Sequence, residues 1–272
     1  MKVAVLGARG FIGSYLCTYL WTMNYEVLPV VRETVDLTDY TAVDQWLEIN
    51  KPDVVINAAI SGGGVNVDAK NFSDLENNLT IFFNFFNSYK SFRYINIGSG
   101  AEFDKSTDIY RAYEPTIVYC KPKDTYGLSK NIISRCVTKR NDFLTLRLFG
   151  CFSKNEPEFR LFKKFLTGQF MALQDRYFDY FSLEDFAKVA EYFCRKDIEI
   201  SFKDINCVYE EKYKLSEILS KLKKIKNIDI PIYTDGKTHY NYTGNSMCLD
   251  TLRLREDFPK LEGLEKGLAK YE

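Results

Sequence analysis

A tyrosine and a lysine four residues apart, Tyr126-Gly-Leu-Ser-Lys130, are the side chains of this 272-residue chain best equipped for proton chemistry. On a helix, positions i and i+4 share a face, so the Lys130 ammonium is expected to lie beside the Tyr126 phenol and lower its pKa toward working pH. A phenol tuned in this way can give or take a proton. Ser99 follows the apolar run Arg93-Tyr-Ile-Asn-Ile97 and offers a hydroxyl that could hold the oxygen being protonated. Read alone, Ser99 is equally a serine capping the loop after a strand.

The amino terminus supplies a reaction for that proton donor. Lys2-Val-Ala-Val-Leu6 reads as a buried strand, Gly7-Ala-Arg-Gly10-Phe-Ile-Gly13 as a tight turn, and Phe11 to Met23 as a helix. Strand, glycine turn and helix start in that order can bind a pyrophosphate on backbone N–H groups, and Gly13 predicts close packing of the helix on its sheet.

The elements that must position these groups alternate. Strands are expected at 27–31, 53–57, 93–97 and 143–148, and helices at 40–49, 75–89 and 126–139, with a long loop from Gly98 to Thr125. This pattern predicts a parallel sheet covered on both faces, with ligands bound beyond the carboxyl ends of its strands. Past residue 150 the pattern loosens. Helices are expected at 157–166, 183–194 and 214–224, and the last stretch carries no clear period.

Composition narrows the field. With 46% hydrophobic residues the chain can bury a full core, and 37 basic against 37 acidic side chains remove any bulk electrostatic case for nucleic acid or an anionic membrane. Seven scattered cysteines without a Cys-x-x-Cys pair argue against a disulfide framework or a metal site and suit a reduced, cytoplasmic protein. No apolar run approaches a membrane span of about 20 residues.

In these motifs the chain resembles the extended short-chain dehydrogenase/reductases of the NAD-dependent epimerase/dehydratase family, which act on nucleotide-linked sugars. Gly7 to Gly13 is similar to the family's cofactor loop, Asp36-Leu-Thr-Asp39 to its adenine-contacting segment, and Asn57-Ala-Ala59 to the stretch passing the cofactor ribose. Asn78 matches the family's helix asparagine, Ser99 its catalytic hydroxyl, and Tyr126 with Lys130 its catalytic pair. Leu146-Arg-Leu-Phe149 and Asp179 to Ala187 resemble two later segments, so the likeness covers roughly residues 1–190.

The resemblance implies an α/β, Rossmann-type doubly wound parallel sheet over 1–155, with a returning strand and helix at about 177–195. A small substrate-binding cap is implied at 156–176 and 196–272. It implies a cofactor held by Gly7, Arg9, Gly10, Phe11, Ile12, Gly13, Arg32, Asp36, Leu37, Asn57, Ala58, Ala59, Asn78 and Lys130. Because the second strand ends Val30-Val31-Arg32 and Arg9 lies in the glycine loop, two arginines are placed to meet a 2′-phosphate, which makes NADP the expected cofactor. Asp36 leaves NAD open.

Departures from the family narrow the reaction. The dehydratases follow the catalytic hydroxyl with an Asp-Glu pair, where this chain has Gly100 and Ala101; Glu102 comes one residue late. Ala101 also replaces the cysteine of the 3,5-epimerase/reductases, and the sole histidine, His239, is remote in sequence. The expected activity is reduction of a nucleotide-linked 4-keto sugar, with a 4-epimerase retaining NAD and a non-catalytic NADP-binding regulator as alternatives. On the substrate side Ala101, Arg160, Lys163 and Arg176 are expected, and a homodimer is expected through the helices that carry Ile81 to Tyr89 and the Tyr126 motif.

Overall fold

The computed structural model describes residues 1–62, 71–169 and 172–271. Residues 170, 171 and 272, inside the segments expected as cap, lie outside the described residues. Along the first part of the chain run β1 (Lys2–Leu6), α1 (Phe11–Thr22), β2 (Glu26–Val30), α2 (Tyr40–Asn50), β3 (Val54–Asn57), α3 (Phe72–Phe86) and β4 (Arg93–Ser99). Then come β5 (Ile109–Ala112), α4 (Thr125–Val137), β6 (Phe143–Leu148), β7 (Cys151–Phe152), α5 (Leu161–Leu166), β8 (Phe181–Ser182) and α6 (Leu183–Cys194). The chain closes with β9 (Asp204–Cys207), α7 (Leu215–Lys226), β10 (Tyr242–Gly244), α8 (Met247–Leu252) and α9 (Leu264–Ala269).

Six strands form one parallel sheet in the order β2-β1-β3-β4-β6-β9. Its strands are apolar on both faces, as parallel strands between two helix layers must be. In β1, Val3 and Val5 face α1 and α6 in a core with Leu16, Leu20, Phe186 and Phe193. Ala4 and Leu6 point the other way, into a core with Phe82, Phe85, Tyr94, Ile133 and Phe143. Alternation of side chains along a strand produces this division. The chain leaves β1 for β2 on one side and returns to β3 on the other, so a crevice opens where the connections diverge, beyond the carboxyl ends of β1 and β3.

The sixth strand corrects the expected division of the chain. Asp204–Cys207 belongs to the main sheet, paired in parallel with Thr145–Leu148, although it falls inside the 196–272 stretch assigned to the cap. Its four residues were too short to show a period, and its pairing partner is distant in sequence. A third apolar cluster joins Phe152, Phe162, Phe165, Leu219, Leu222 and Leu268, and it holds α5, α7 and α9 together beside the sheet.

Candidate active site

The glycine loop is shaped by close backbone approach. Gly7 has φ +72°, and a Cβ there would lie 2.8 Å from the Ala58 carbonyl oxygen. A Cβ at Gly13 would lie 2.2 Å from the Gly7 carbonyl, so the close contact that glycine permits is with the loop itself rather than with the sheet. Gly10 caps α1 with no side-chain bond, and the first turn contains no acidic residue. The free N–H groups of that turn suit an anion. Beside them is a cavity of about 300 Å³ bounded by Gly7, Gly10, Arg32, Asp36, Ala58 and Ala59. An uncapped helix start, glycine at each close approach and an adjoining cavity fit a dinucleotide.

Other expected cofactor residues sit around this cradle in different ways. Leu37 lines the cavity, while Phe11 and Ile12 pack on the core of α1 and the sheet. Arg9 is ion-paired with Glu33, both largely exposed, and Arg32 is exposed beside them. Glu33 was not anticipated, and it places an acid between the two arginines. The Asp36 carboxylate accepts from the amide and hydroxyl of Thr38, which holds its pKa below the ordinary range. Asn57 accepts from Ala59 N at 3.1 Å. Asn78 is buried and works as a clamp: its Oδ1 accepts from Ser61 N at 2.8 Å and its Nδ2 donates to Ser61 O at 3.0 Å.

Ser99 and Tyr126 are brought together from opposite sides of a loop. Ser99 ends β4 and begins a short 3₁₀ turn, Gly100–Phe103; its Oγ accepts from Ala101 N at 3.2 Å. Asp124 caps α4 by accepting from Gly127 N, and Tyr126 lies in the first turn. A Cβ on Gly127 would meet the Ala101 carbonyl at 2.6 Å, so glycine after Tyr126 is what lets α4 approach the Ser99 turn. The Ser99 hydroxyl lies close enough to the Tyr126 phenol to act on its proton affinity.

The electrostatics differ from the expectation. Burial pushes the Tyr126 phenol up to about 12, the nearby Ser99 hydroxyl opposes this, and Glu102 adds to the rise. Lys130 is buried, its Nζ donates to the Ile97 carbonyl at 2.7 Å, and desolvation lowers it to about 8. The expected lowering of the phenol by the lysine is thus corrected: helical spacing supplied the shared face, but desolvation by the tertiary environment raises the phenol.

Beneath Ser99 lies a largely buried ion network. Glu102 Oε1 accepts from Ser99 N at 2.7 Å. Its Oε2 meets the Arg147 guanidinium at 2.6 Å, and that guanidinium also meets Asp204 at 2.7 Å and Asn206 Oδ1 at 2.8 Å. Glu102 and Arg147 have no exposed side-chain surface. Desolvation raises both carboxylates above their ordinary range while Arg147 pulls them down. Glu102 is therefore committed to holding the Ser99 turn.

The expected substrate-side residues separate. Arg160 donates to the Cys151 carbonyl, pairs with Glu156 at 3.3 Å and stacks 5.0 Å from the Phe11 ring, so it anchors the cap to the glycine loop. Lys163 lies over Tyr271, and Ala101 is buried as a donor to Ser99. Arg176 bonds to the Tyr240 carbonyl and stacks on Phe178, and its buried Nε has no hydrogen-bond partner among the described residues. It is the expected arginine that faces Tyr242. His239 pairs with Asp235 at 2.8 Å.

Residues 3–176 match the family described as NAD dependent epimerase/dehydratase family. The chain belongs to it. Among the family's relatives, a spore coat polysaccharide biosynthesis protein, SpsK, of Bacillus subtilis is 29% identical over 135 residues, 48% of this chain and 46% of that one. The chain spans less than half the length of the curated relatives it matches. A dTDP-4-dehydrorhamnose reductase from Clostridium acetobutylicum superimposes with TM-score 0.82 at 17% identity, covering 100% of this chain and 98% of that one. A GDP-mannoheptose C4 reductase from Campylobacter jejuni, solved with NADP, superimposes with TM-score 0.77 at 19% identity, covering 99% and 96%. The superpositions establish the doubly wound fold over the whole chain.

Two residues besides Glu33 were not anticipated from the sequence of this family member. Glu102 looked only like a misplaced acid, though the spacing Ser99-x-x-Glu102 is that of a capping box and could have shown its role. Tyr242 is on β10, and its buried phenol is near enough to Ser99 and Tyr126 to feel both. No local signal marks it, because β10 is placed by pairing with β5 and by bonds to Tyr177 and Asp179, all distant in sequence.

Proposed function

We propose that the protein is an NADP(H)-dependent reductase of a nucleotide-linked 4-keto sugar. The observation that carries this reading is the state of the acids around Ser99. A phenol and a serine hydroxyl lie near one another there, and the nearest carboxyl group in sequence, Glu102, is locked to Arg147 with no exposed surface. That arrangement can protonate one oxygen but offers no free acid pair for expelling water.

When bound, NADPH would supply hydride to the carbonyl carbon. Ser99 holds the carbonyl oxygen by a hydrogen bond, and Tyr126 gives that oxygen its proton, so the ketone gains one hydride and one proton and leaves as an alcohol. A phenol held at about 12 is protonated at neutral pH, the state that a reductase's acid requires. Lys130, fixed on the Ile97 carbonyl, lies one turn along α4, on the face that carries Tyr126. The glycine turn and the cavity beside it hold the dinucleotide, with Arg9 and Arg32 toward a 2′-phosphate. Support also comes from the similarity to reductases of 4-keto nucleotide sugars, one of them solved with NADP. Pairing of two copies through α3 and α4 belongs to the same reading, since Leu79, Phe83, Phe86 and Cys136 are left only partly covered.

The test is loss of NADPH absorbance when the protein is mixed with dTDP- or GDP-linked 4-keto-6-deoxy sugars, one cofactor consumed per sugar reduced. Interconversion of 4-epimers without net cofactor change would replace the reductase with an epimerase. Turnover unchanged in Tyr126→Phe would remove the proposed acid altogether.

A further inference from the structure

Arg160, expected on the substrate side, is held against the start of α1 instead. Phe11 is the first residue of that helix, and Ser14 N makes the bond to the Gly10 carbonyl at 2.9 Å. The N–H groups of Phe11, Ile12 and Gly13 precede that bond, at a helix start with no capping side chain and no acid in its first turn. The Arg160 guanidinium lies over the Phe11 ring, 5.0 Å from its centre. Phe11 in turn packs on the core between α1 and the sheet, so the ring is a fixed seat for the charge.

Buried groups of the cap aim this side chain. Its Nε donates to Glu156 Oε2 at 3.3 Å, and its Nη2 donates to the Cys151 carbonyl. Glu156 is buried, and its other oxygen accepts from the Tyr271 hydroxyl at 2.8 Å. Tyr271 is buried as well and packs edge-on against Phe162 at 5.7 Å. Both oxygens of Glu156 are thus occupied, one by Arg160 and one by Tyr271. A guanidinium has five N–H groups, and Nη1 of Arg160 has no hydrogen-bond partner among the described residues. Arg9 and Arg32 differ: both are exposed, and Arg9 is paired with the exposed Glu33.

A cation beside a helix amino terminus is repelled by the helix dipole, yet here specific contacts bring the two together. An anion shared between them relieves the conflict, and the planar fork of a guanidinium matches the oxygens of a phosphate. We propose that Arg160 is a cofactor-binding residue: its free Nη1 donates to the pyrophosphate of the bound dinucleotide, so that α1 and the cap hold the same anion. The inference rests on the family's dinucleotide cofactor and not on the direction of the reaction; an epimerase would use the same contact. It also removes Arg160 from the charges available to the diphosphate of a nucleotide sugar.

Two arms on the full chain test this without turnover. In calorimetric titrations, Arg160→Met is expected to weaken NADPH and NADH alike, each about tenfold, because both carry the pyrophosphate. Adenosine 2′-monophosphate, which lacks it, is expected to bind within about twofold of the unaltered protein. Arg160→Lys keeps the charge without the fork and is expected to fall between the two. In a crystal of the unaltered protein with NADP, a nitrogen of Arg160 is expected within about 3.2 Å of a pyrophosphate oxygen. A residue that only props the cap would lower the melting temperature in Arg160→Met and leave both cofactor affinities unchanged, and that outcome overturns the proposal. So does an equal loss of adenosine 2′-monophosphate, or a guanidinium remote from the pyrophosphate in the crystal. The crystal arm needs no variant to fold. Neither arm uses a keto sugar, so a failure of the reductase reading shows separately, in the absence of NADPH consumption by a protein that still binds the cofactor.

Discussion

Replacing Arg147 by methionine tests what holds the Ser99 turn in place. The guanidinium lies 2.6 Å from Glu102 and 2.7 Å from Asp204, and neither Arg147 nor Glu102 has exposed side-chain surface. Methionine fills much of the volume but leaves two buried carboxylates without their cation. Breaking a buried pair from one side costs about 3–5 kcal/mol, which is the expected deficit near neutral pH. The pH dependence makes the prediction specific. Both carboxyl groups already titrate above their unfolded values of 4.5 and 3.8, and Arg147 pulls both down, so its removal raises them further. Above the unfolded values the native state then holds protons that the unfolded chain has released. Stability must fall as pH rises through that window, by up to about 1.4 kcal/mol per pH unit for each carboxyl involved. Relative to the parent protein, Arg147→Met should therefore be least impaired near pH ~4.5 and increasingly impaired toward pH ~8. Urea unfolding followed by circular dichroism across that range measures the difference, with an unchanged m-value confirming comparable unfolding. A deficit below about 1 kcal/mol, or one constant with pH, would refute the network as the support of the turn.

Lys130 gives the opposite slope: its folded pKa of about 8 lies below the ordinary 10.5, so the native state releases its proton first and gains stability as pH rises between those values. Lys130→Met should lack that gain, and parallel curves for the two proteins in urea would contradict the buried ammonium. Gly127→Ala places a Cβ 2.6 Å from the Ala101 carbonyl, so α4 must shift; a loss of about 1–3 kcal/mol by thermal melting and a fall in turnover are expected. For the cofactor, Arg32→Ala should weaken NADPH about tenfold and leave NADH unchanged, and Glu33→Gln, by freeing Arg9, should tighten NADPH. Fluorescence titration measures both, and NADH bound more tightly than NADPH by the parent protein would reject the 2′-phosphate assignment.

The sequence made the alternation of strands and helices legible because each signal was local. Residues 3–6 are uniformly apolar, the Phe-rich run at 81–86 is apolar on more than one face of a helix, and the glycine turn joins the first strand to its helix. The strand and helix spans through residue 148 needed adjustment by only a few residues at most ends, as capping by Asp39, Asn71 and Asp124 set their starts. The Tyr126-x-x-x-Lys130 spacing and Ser99 at a strand end were likewise readable, since helix geometry and strand termination are properties of neighbouring residues.

What only the tertiary structure decided involves partners far apart in the chain. The sign of the Tyr126 shift depended on burial, which no spacing expresses. Arg160 and Arg176 looked equivalent as charges until one was tied to Cys151 and Phe11 and the other turned toward Tyr242. β9 entered the sheet, Glu102 became the support of Ser99 through Arg147 and Asp204, and Tyr242 came to lie between Phe149 and Phe178. The amino-acid order determined the local elements and the residue types available for proton transfer. Long-range packing assigned each of those residues its neighbours, and neighbours set the charge, the hydrogen-bond direction and the access on which the chemistry depends.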